Sequence, residues 1–546
     1  MFADPVVGKE FFNRKEVLQI LLKRASSLPQ GYRQNVAILG PELIGKSSLL
    51  QHFMSQFDHP EVVVIYLEFR PGESFQEFAA RFITLFLHSF LKRMGMEGMG
   101  DRETQLQAFR RAAPKTGSWL KTFLDHRRKF DPTKSFITLL ELPSRASHET
   151  GKCFILILDE FDKLLGFDID EPFAHLGKQI MVQKETMYLL ASSQMQLSRR
   201  ILQQRLSLLF GRFETVTLEP FNAQEALDYL EKRWVPTDRD RGAEQFLVFL
   251  TGGHPFYLNV IGQHLAAGAS VNPQATAESV ISVLEKVLFN AQGILCQYFT
   301  MLLHRIASSD RSRSSMLIAQ TLSRRTCTSQ EIRHLLKEAK DIHKKLTRLV
   351  DAGILFKSGM FYQIADRLFA FWLRHCFETK SDSLAGNIDQ QSSEFRKEAE
   401  NAMRHFMDQS QKKTGEKISS LFSSFRGELV EIDQKRHRLP RFSGVSLLNG
   451  KSDSAIVVGH KENGVWVSSF FERGIEEEDI SEFLKQCERM NRPIHQKVLI
   501  PLSGISQNAR LLAKKEKLWT WELGNVNMLL DIYHQGPILK VGERHG

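Results

Sequence analysis

The sequence predicts an α/β fold, with a parallel sheet in residues 1–220 and smaller helical and α/β modules behind it. Three observations carry that prediction. A short apolar run, Asn35–Leu39, leads directly into Gly40-Pro41-Glu42-Leu43-Ile44-Gly45-Lys46-Ser47, after which SSLLQHFMSQF has helical spacing. A second apolar run, too dense for an exposed surface, begins at Cys153 and closes on Asp159 and Glu160, as a buried parallel strand does. From about residue 296 the pattern changes to three short helices followed by a hairpin.

Length and composition bound the rest. At roughly 100 to 200 residues per domain, 546 residues predict three or four domains. Hydrophobic residues at 42% and charged residues at 25% exclude a disordered, collagen-like or coiled-coil chain. Lys and Arg number 73 against 63 Asp and Glu, a net +10 compatible with a polyanionic partner. The five cysteines are scattered without a CxxC pair, which argues against a disulfide framework or a zinc site. The N-terminus lacks a signal-peptide profile, and no stretch approaches the roughly 18 apolar residues of a membrane span. A cytoplasmic chain with no membrane partner is expected.

The string at 40–47 is GxxxxGKS, a phosphate-binding loop between a strand and a helix. Its glycines let backbone N–H groups turn inward around a β-phosphate, Lys46 reaches the β- and γ-phosphates, and the Ser47 hydroxyl ligates magnesium. The expected cofactors are therefore ATP and Mg2+, with Gly40, Pro41, Glu42, Leu43, Ile44, Gly45, Lys46, Ser47 and Ser48 around the nucleotide, on the sheet of a P-loop NTPase. Asp159, at the carboxyl end of a neighbouring strand, is assigned to the metal, and Glu160 to polarising the attacking water, with Asp162 as a substitute for either. Residues 62–69 and 187–191 fit two further strands. After the second, Ser193 is placed to contact the γ-phosphate or else merely to turn the chain. Arg212, before the strand ETVTL, could stabilise transition-state charge in cis or from a neighbouring subunit of a homo-oligomer. A surface ion pair is the alternative, and Arg199, Arg200 and Arg205 compete for the role.

At this point the sequence resembles archaeal-type P-loop ATPases of the AAA+ and STAND branch, relatives of origin-recognition ATPases. Val7-Gly8-Lys9-Glu10 followed by Lys15-Glu16-Val17-Leu18 is similar to the segment that opens those proteins, with Lys9 in place of the usual Arg. Thr251-Gly252-Gly253-His254-Pro255-Phe256-Tyr257-Leu258 is similar to the signature of their helical lid, and the resemblance implies that Pro255 contacts the nucleotide. It also places Arg212 in a leucine-phenylalanine-Gly-Arg element common among them. The likeness covers roughly residues 5–378, with the lid at 221–295 built from amphipathic helices near 222–234, 244–250 and 256–265. The helix-rich stretch 75–150 is an elaboration of the ATPase domain, and its pairs Arg110-Arg111 and Arg127-Arg128 are solvated faces.

Residues 296–378 have a winged helix-turn-helix outline. Thr328 and Glu331 have capping-box spacing, a turn follows near 337–340, and 341–352 forms a helix in the recognition position. Ile342, Leu346, Leu349 and Val350 fall on one face of it, and Lys340, Lys344 and Arg348 recur on another, with Lys345 beside them. Gly353 ends the helix, and two strands flank Ser358-Gly359. From 301 to 350 there are eleven Lys or Arg against four Asp or Glu, a local +7. Double-stranded DNA is the expected partner of Lys340, Lys344, Lys345 and Arg348. An interaction or regulatory module is the alternative. Residues 364–377 form a packing helix.

Residues 379–395 are polar and predict a linker, with 379–410 as linker and helix before a domain at 411–546. The order of that domain's elements resembles the restriction-endonuclease-like domain that often follows these ATPases. An active member would place a carboxylate at Asp453 and an acid-x-Lys triplet on the next strand, where this chain has Ser468-Ser469-Phe470-Phe471, with Glu472 and Arg473 displaced. The expectation is a nuclease shape without cutting. The whole reads as an ATP-binding and hydrolysing switch whose winged helix meets DNA. The alternatives are a STAND-type signalling switch with a protein partner and an ATP-regulated, metal-dependent nuclease.

Overall fold

The computed structural model describes residues 4–96, 100–126, 131–206, 213–234, 238–269, 274–308, 314–336, 341–377, 388–433, 435–449 and 454–539. The chain forms two compact units, Met1–Pro220 and Phe221–Gly546.

The first unit is built on five strands: β1 (Asn35–Leu39), β2 (Val62–Glu68), β3 (Cys153–Asp159), β4 (Thr186–Ser192) and β5 (Phe213–Thr217). Their order is β2-β3-β4-β1-β5, and every pairing is parallel. Alternation along β1 shows why Val36 to Leu39 are all apolar. Val36 and Ile38 enter one core with Leu49, Leu50 and Phe53 of the helix Lys46–Gln56. Ala37 and Leu39 enter the opposite core with Phe78, Phe82, Phe86 and Phe90 of the helix Phe75–Arg93. Both faces are covered, so the sheet is the middle of three layers. The four phenylalanines recur every four residues and place one ring beside the next at 6.3, 6.5 and 6.4 Å between centroids. Three further helices, Arg102–Ala112, Pro114–His126 and Pro132–Thr150, complete the elaboration between β2 and β3. Arg110 and Arg111 are exposed on it, and Arg127-Arg128 lies outside the described residues.

The topology fixes where a ligand can sit. From β1 the chain crosses β4 and β3 to reach β2, and from β4 it crosses back over β1 to β5. The loops after β1 and β4 therefore diverge and open a crevice at the carboxyl ends of the strands.

The second unit opens with helices Ala223–Arg233, Arg241–Thr251, Pro255–Ala269 and Ala277–Leu284. A short parallel pair, β6 (Asp238–Arg239) and β7 (Gln274–Ala275), joins them. The glycine pair has a local reason. Gly253 has φ +73°, its carbonyl accepts the Phe221 N–H at 3.0 Å, and a Cβ there would lie 2.0 Å from the Phe221 oxygen.

After helix Ile294–Ser308 come helix Ser314–Arg324, β8 (Cys327–Thr328), helices Ser329–Leu335 and Ile342–Asp351, β9 (Leu355–Ser358) and β10 (Phe361–Ile364). The strands form an antiparallel sheet in the order β8-β10-β9. The capping box is made: the Glu331 N–H donates to Thr328 Oγ1 at 3.2 Å and the Thr328 N–H to Glu331 Oε2 at 2.7 Å. Ile342, Leu346 and Leu349 are buried, and Val350 is half-buried.

The expected linker 379–395 needs correction in its second part. Residues 378–387 lie outside the described residues, but a helix, Ile388–Ser410, already runs through 388–395. Its Phe395, Ala399, Met403 and Phe406 are buried three to four residues apart, with Phe406 stacked on Phe249 at 5.0 Å. Of the residues that suggest a linker, Asp389, Gln390 and Ser393 lie on the exposed face of an amphipathic helix, while Gln391 is buried in line with Phe395.

The C-terminal domain has a hairpin, β11 (Leu429–Ile432) and β12 (Lys435–Arg438), and a larger sheet of β13 (Gly444–Asn449), β14 (Ser454–Lys461), β15 (Gly464–Phe471), β16 (Ile494–Pro501) and β17 (Trp519–Thr520). The sheet runs β13-β14-β15-β16-β17, antiparallel across the first three and parallel across the last three. Trp466 and Phe470 face a core with helices Thr414–Ser423 and Leu523–Ile532, and Val465 and Val467 face one with Glu477–Glu488 and Gln507–Lys515. All eight residues of β15 are buried, Ser468 and Ser469 included. Glu472 and Arg473 follow the strand, and Arg473 Nη1 bonds Asp479 Oδ2 at 2.9 Å. Asp453 lies outside the described residues. Among the described residues, no single helix is long and apolar enough to cross a membrane.

Candidate functional site

The site forms at the carboxyl edge of the first sheet. Gly40 follows β1 where there is no room for a side chain: a Cβ would lie 2.9 Å from both Ile44 Cγ2 and the Leu218 oxygen. The loop then turns through Leu43 at φ +61° and Gly45 at φ +101°, both in the left-handed region that favours glycine. Ile44 is buried and anchors the loop in the core below. The helix Lys46–Gln56 starts immediately afterwards, its first N–H groups directed at the crevice.

Lys46 is 4% exposed, and its Nζ donates to the Gly40 and Pro41 oxygens at 3.0 and 2.9 Å. Glu160 Oε1 lies 3.9 Å away. Burial pulls the lysine pKa down, opposed by the charges of Glu160, Asp159, Glu42 and Asp162. A largely desolvated ammonium held by loop carbonyls gains from an anion placed in the same loop.

Asp159 is 1% exposed and fully engaged. Its Oδ2 accepts from Ser47 Oγ at 2.8 Å and from the Tyr66 hydroxyl at 2.6 Å, and its Oδ1 accepts from the Glu160 N–H at 3.0 Å. The two residues assigned to magnesium from sequence thus meet across two elements. A hydroxyl beside a carboxylate is a hard oxygen set that suits a cation retaining most of its water, so the residues fit Mg2+. No motif in the sequence marks Tyr66. Burial and the Asp159 charge push its hydroxyl well above the usual phenol range, so it remains a donor. The only signal in the sequence was a tyrosine near the end of a neighbouring strand, whose hydroxyl needs a partner once buried.

Glu160 stands at φ +56°, the turn at the end of β3. Its Oε2 accepts from Ser193 Oγ at 2.6 Å and from the Ser193 N–H at 3.2 Å. Ser193, expected at the γ-phosphate or in a plain turn, is here bound to the carboxylate assigned to water. Asp162 is buried and accepts from the Ser192 hydroxyl, and burial raises its pKa. That partner holds it under β4. Ser48 faces the N-terminal segment, its Oγ accepting the Val6 N–H at 3.0 Å. On the same helix His52 Nδ1 accepts the Gly8 N–H at 3.3 Å and its ring stacks on Phe11 at 4.1 Å. The segment around Val7–Glu10 is thus fastened to the helix of the phosphate loop.

Arg212 lies outside the described residues, and so does Lys340. Of the competing arginines, Arg199 Nη2 reaches Thr217 Oγ1 at 3.5 Å, and Arg200 and Arg205 are exposed. Pro255 opens the helix Pro255–Ala269 in the second unit. In that unit Lys344 and Arg348 are exposed on the helix Ile342–Asp351, and Lys345 is half-buried.

No family model matches the chain, and no curated protein matches it. Among solved structures, it is similar to the Walker-type ATPase PABY2304 of Pyrococcus abyssi, at 19% identity over 68% of this chain and 99% of that one, with a TM-score of 0.48. It is also similar to the Aeropyrum pernix ORC2 protein in ADPNP and ADP complexes, at 12% identity over 74% of this chain and 98% of that one (TM-score 0.43). The Aeropyrum pernix ORC1 protein in complex with DNA aligns at 14% identity over 68% of this chain and 93% of that one (TM-score 0.38).

Proposed function

We propose that the chain is an ATP-binding and hydrolysing switch that also binds duplex DNA through a winged helix. The observation that carries the first part is the convergence of Lys46, Ser47, Asp159 and Glu160 from one helix start and one strand end, with Ser47 Oγ 2.8 Å from Asp159 Oδ2. The loop amides and Lys46 bind the β- and γ-phosphates of ATP. Ser47 and Asp159 hold the magnesium ion, which neutralises phosphate charge when bound. Glu160 orients a water at the γ-phosphate and takes its proton as the P–O bond to ADP breaks, giving ADP and inorganic phosphate. Ser193 positions that carboxylate. Arg212 remains the proposed source of further positive charge at the transition state, and Pro255 a proposed nucleotide contact.

The second part rests on the order helix, strand, helix, helix, strand, strand over residues 314–364 and on the exposed cations Lys344 and Arg348 on the third helix. Lys340 and Lys345 belong to the same proposed contact. Differential affinity for ATP and ADP would shift the equilibrium between two arrangements of the chain. The C-terminal domain serves as a binding module in this reading, since the strand position of an acid-x-Lys triplet carries the buried Ser468 and Ser469.

Titration calorimetry with ATP and magnesium tests the nucleotide site: wild type gives binding heat, and Lys46→Ala removes it. An unchanged heat in Lys46→Ala would refute the site. Fluorescence anisotropy with a labelled duplex tests the second part. Binding is expected to weaken steeply with salt and to weaken further in a Lys344→Ala, Arg348→Ala variant.

A further inference from the structure

The tip of the proposed wing is occupied. Ser358 is 1% exposed, and its hydroxyl donates to the Glu431 carbonyl and accepts the Glu431 N–H, each at 3.0 Å. The Met360 N–H donates to the Leu429 carbonyl at 3.1 Å. Between them Gly359 has φ +58°, and a Cβ there would lie 2.2 Å from the Leu429 oxygen. The turn between β9 and β10 is therefore laid on β11 of the C-terminal domain, and it cannot also enter a DNA groove in this arrangement.

What β11 presents beyond the wing is its partner strand β12, Lys-Arg-His-Arg, in which Lys435, Arg436 and Arg438 are exposed. His437 turns inward, its ring edge-on to Trp519 at 4.2 Å, so Arg436 and Arg438 share the opposite face, about 7 Å apart by strand geometry. The opposing strand contributes one carboxylate to this ladder, Glu431 across from Arg436, while Lys435 and Arg438 face Ile432 and Leu429. The result is a strand with an excess of exposed positive charge, joined through β11 to the module that carries Lys344 and Arg348.

We propose that β12 binds the phosphate backbone of duplex DNA in place of the occupied wing, with Arg436 and Arg438 as the contacts. The proposal rests on the DNA reading of the winged helix and extends it to the C-terminal domain. Charged side chains on an edge strand also block unwanted strand pairing, and that role needs no ligand. Salt linkage separates the two, because each neutralised phosphate adds about 0.9 to the slope of log affinity against log salt.

The test is duplex-DNA anisotropy on the full chain across a salt series, comparing wild type, Arg436→Ala with Arg438→Ala, and Lys344→Ala with Arg348→Ala. The strand variant is expected to make the slope shallower by about 1.8, with Lys substitutions at both positions restoring it. If the strand variant keeps the wild-type slope while the helix variant loses it, β12 is only a protected edge and the proposal fails alone. If the strand variant loses slope and the helix variant does not, β12 stands and the winged-helix reading falls. Absence of salt-dependent binding in wild type overturns both. Should the double variant fail to fold by circular dichroism, Arg438→Gln by itself is expected to cost about 0.9 in slope, and an unchanged slope there overturns the proposal.

Discussion

The Ser193 hydroxyl donates to Glu160 Oε2 at 2.6 Å and, from the neighbouring strand's end, holds the carboxylate proposed to orient water. Two residues that sequence places in separate roles therefore act as one unit. Ser193→Ala should leave the ATP affinity near wild type and lower kcat by roughly tenfold, a fraction of the 10²–10⁴ that a general base supplies. Calorimetry for Kd and phosphate release for kcat check it, and a matched loss in both would point to a damaged site instead.

Glu160→Gln keeps the shape and the hydrogen bonds but not the basicity. Its ATP binding should survive while turnover falls by about 10²–10⁴. Single-turnover phosphate release reads this directly, and normal turnover would remove Glu160 from the mechanism.

Tyr66 and Ser47 both donate to Asp159 Oδ2, at 2.6 and 2.8 Å. Tyr66→Phe leaves Ser47 as that oxygen's donor, so a stability loss of about 1 kcal/mol is expected, together with a higher magnesium requirement for nucleotide binding. Urea unfolding and ATP titrations over a magnesium series measure the two effects. A change in neither would make the tyrosine a bystander.

Burial pushes His375 down to about 4 from an ordinary 6.5, and Arg374 adds to the shift. The Glu398 carboxylate lies 3.7 Å away, but it is half-exposed and too well solvated to hold the proton. A base with a depressed native pKa binds fewer protons folded than unfolded, so its contribution is complete above pH 6.5 and is lost as pH falls toward 4. His375→Gln should flatten that part of the acid limb by up to roughly 3 kcal/mol. Urea midpoints at pH 7 and pH 4.5 provide the comparison, and an identical pH dependence would show that the imidazole does not control it.

Gly253 combines φ +73° with a Cβ position 2.0 Å from the Phe221 oxygen. Gly253→Ala must move that backbone, and a loss above about 2 kcal/mol is expected. A thermal melt within a degree of wild type would contradict the packing.

Local chemistry made much of this protein readable from its residues. The phosphate loop, the strands ending at Leu39 and Asp159, and the capping box at Thr328 and Glu331 each lie within a few neighbouring positions, where backbone preference and apolar spacing suffice. The helix through 388–395 is not legible in the sequence for the complementary reason: its polar residues are local, but the aromatic partners that bury Phe395 and Phe406 are distant in sequence. Tyr66, Ser193 and the occupied wing were decided only by the tertiary structure. Parallel register sets Glu68 against Asp159 and so brings Tyr66 to the carboxylate, and Gly359 meets Leu429 only once the C-terminal domain has packed. A sequence can state which groups must find partners, but strand register and domain packing choose those partners, because both are settled by long-range burial.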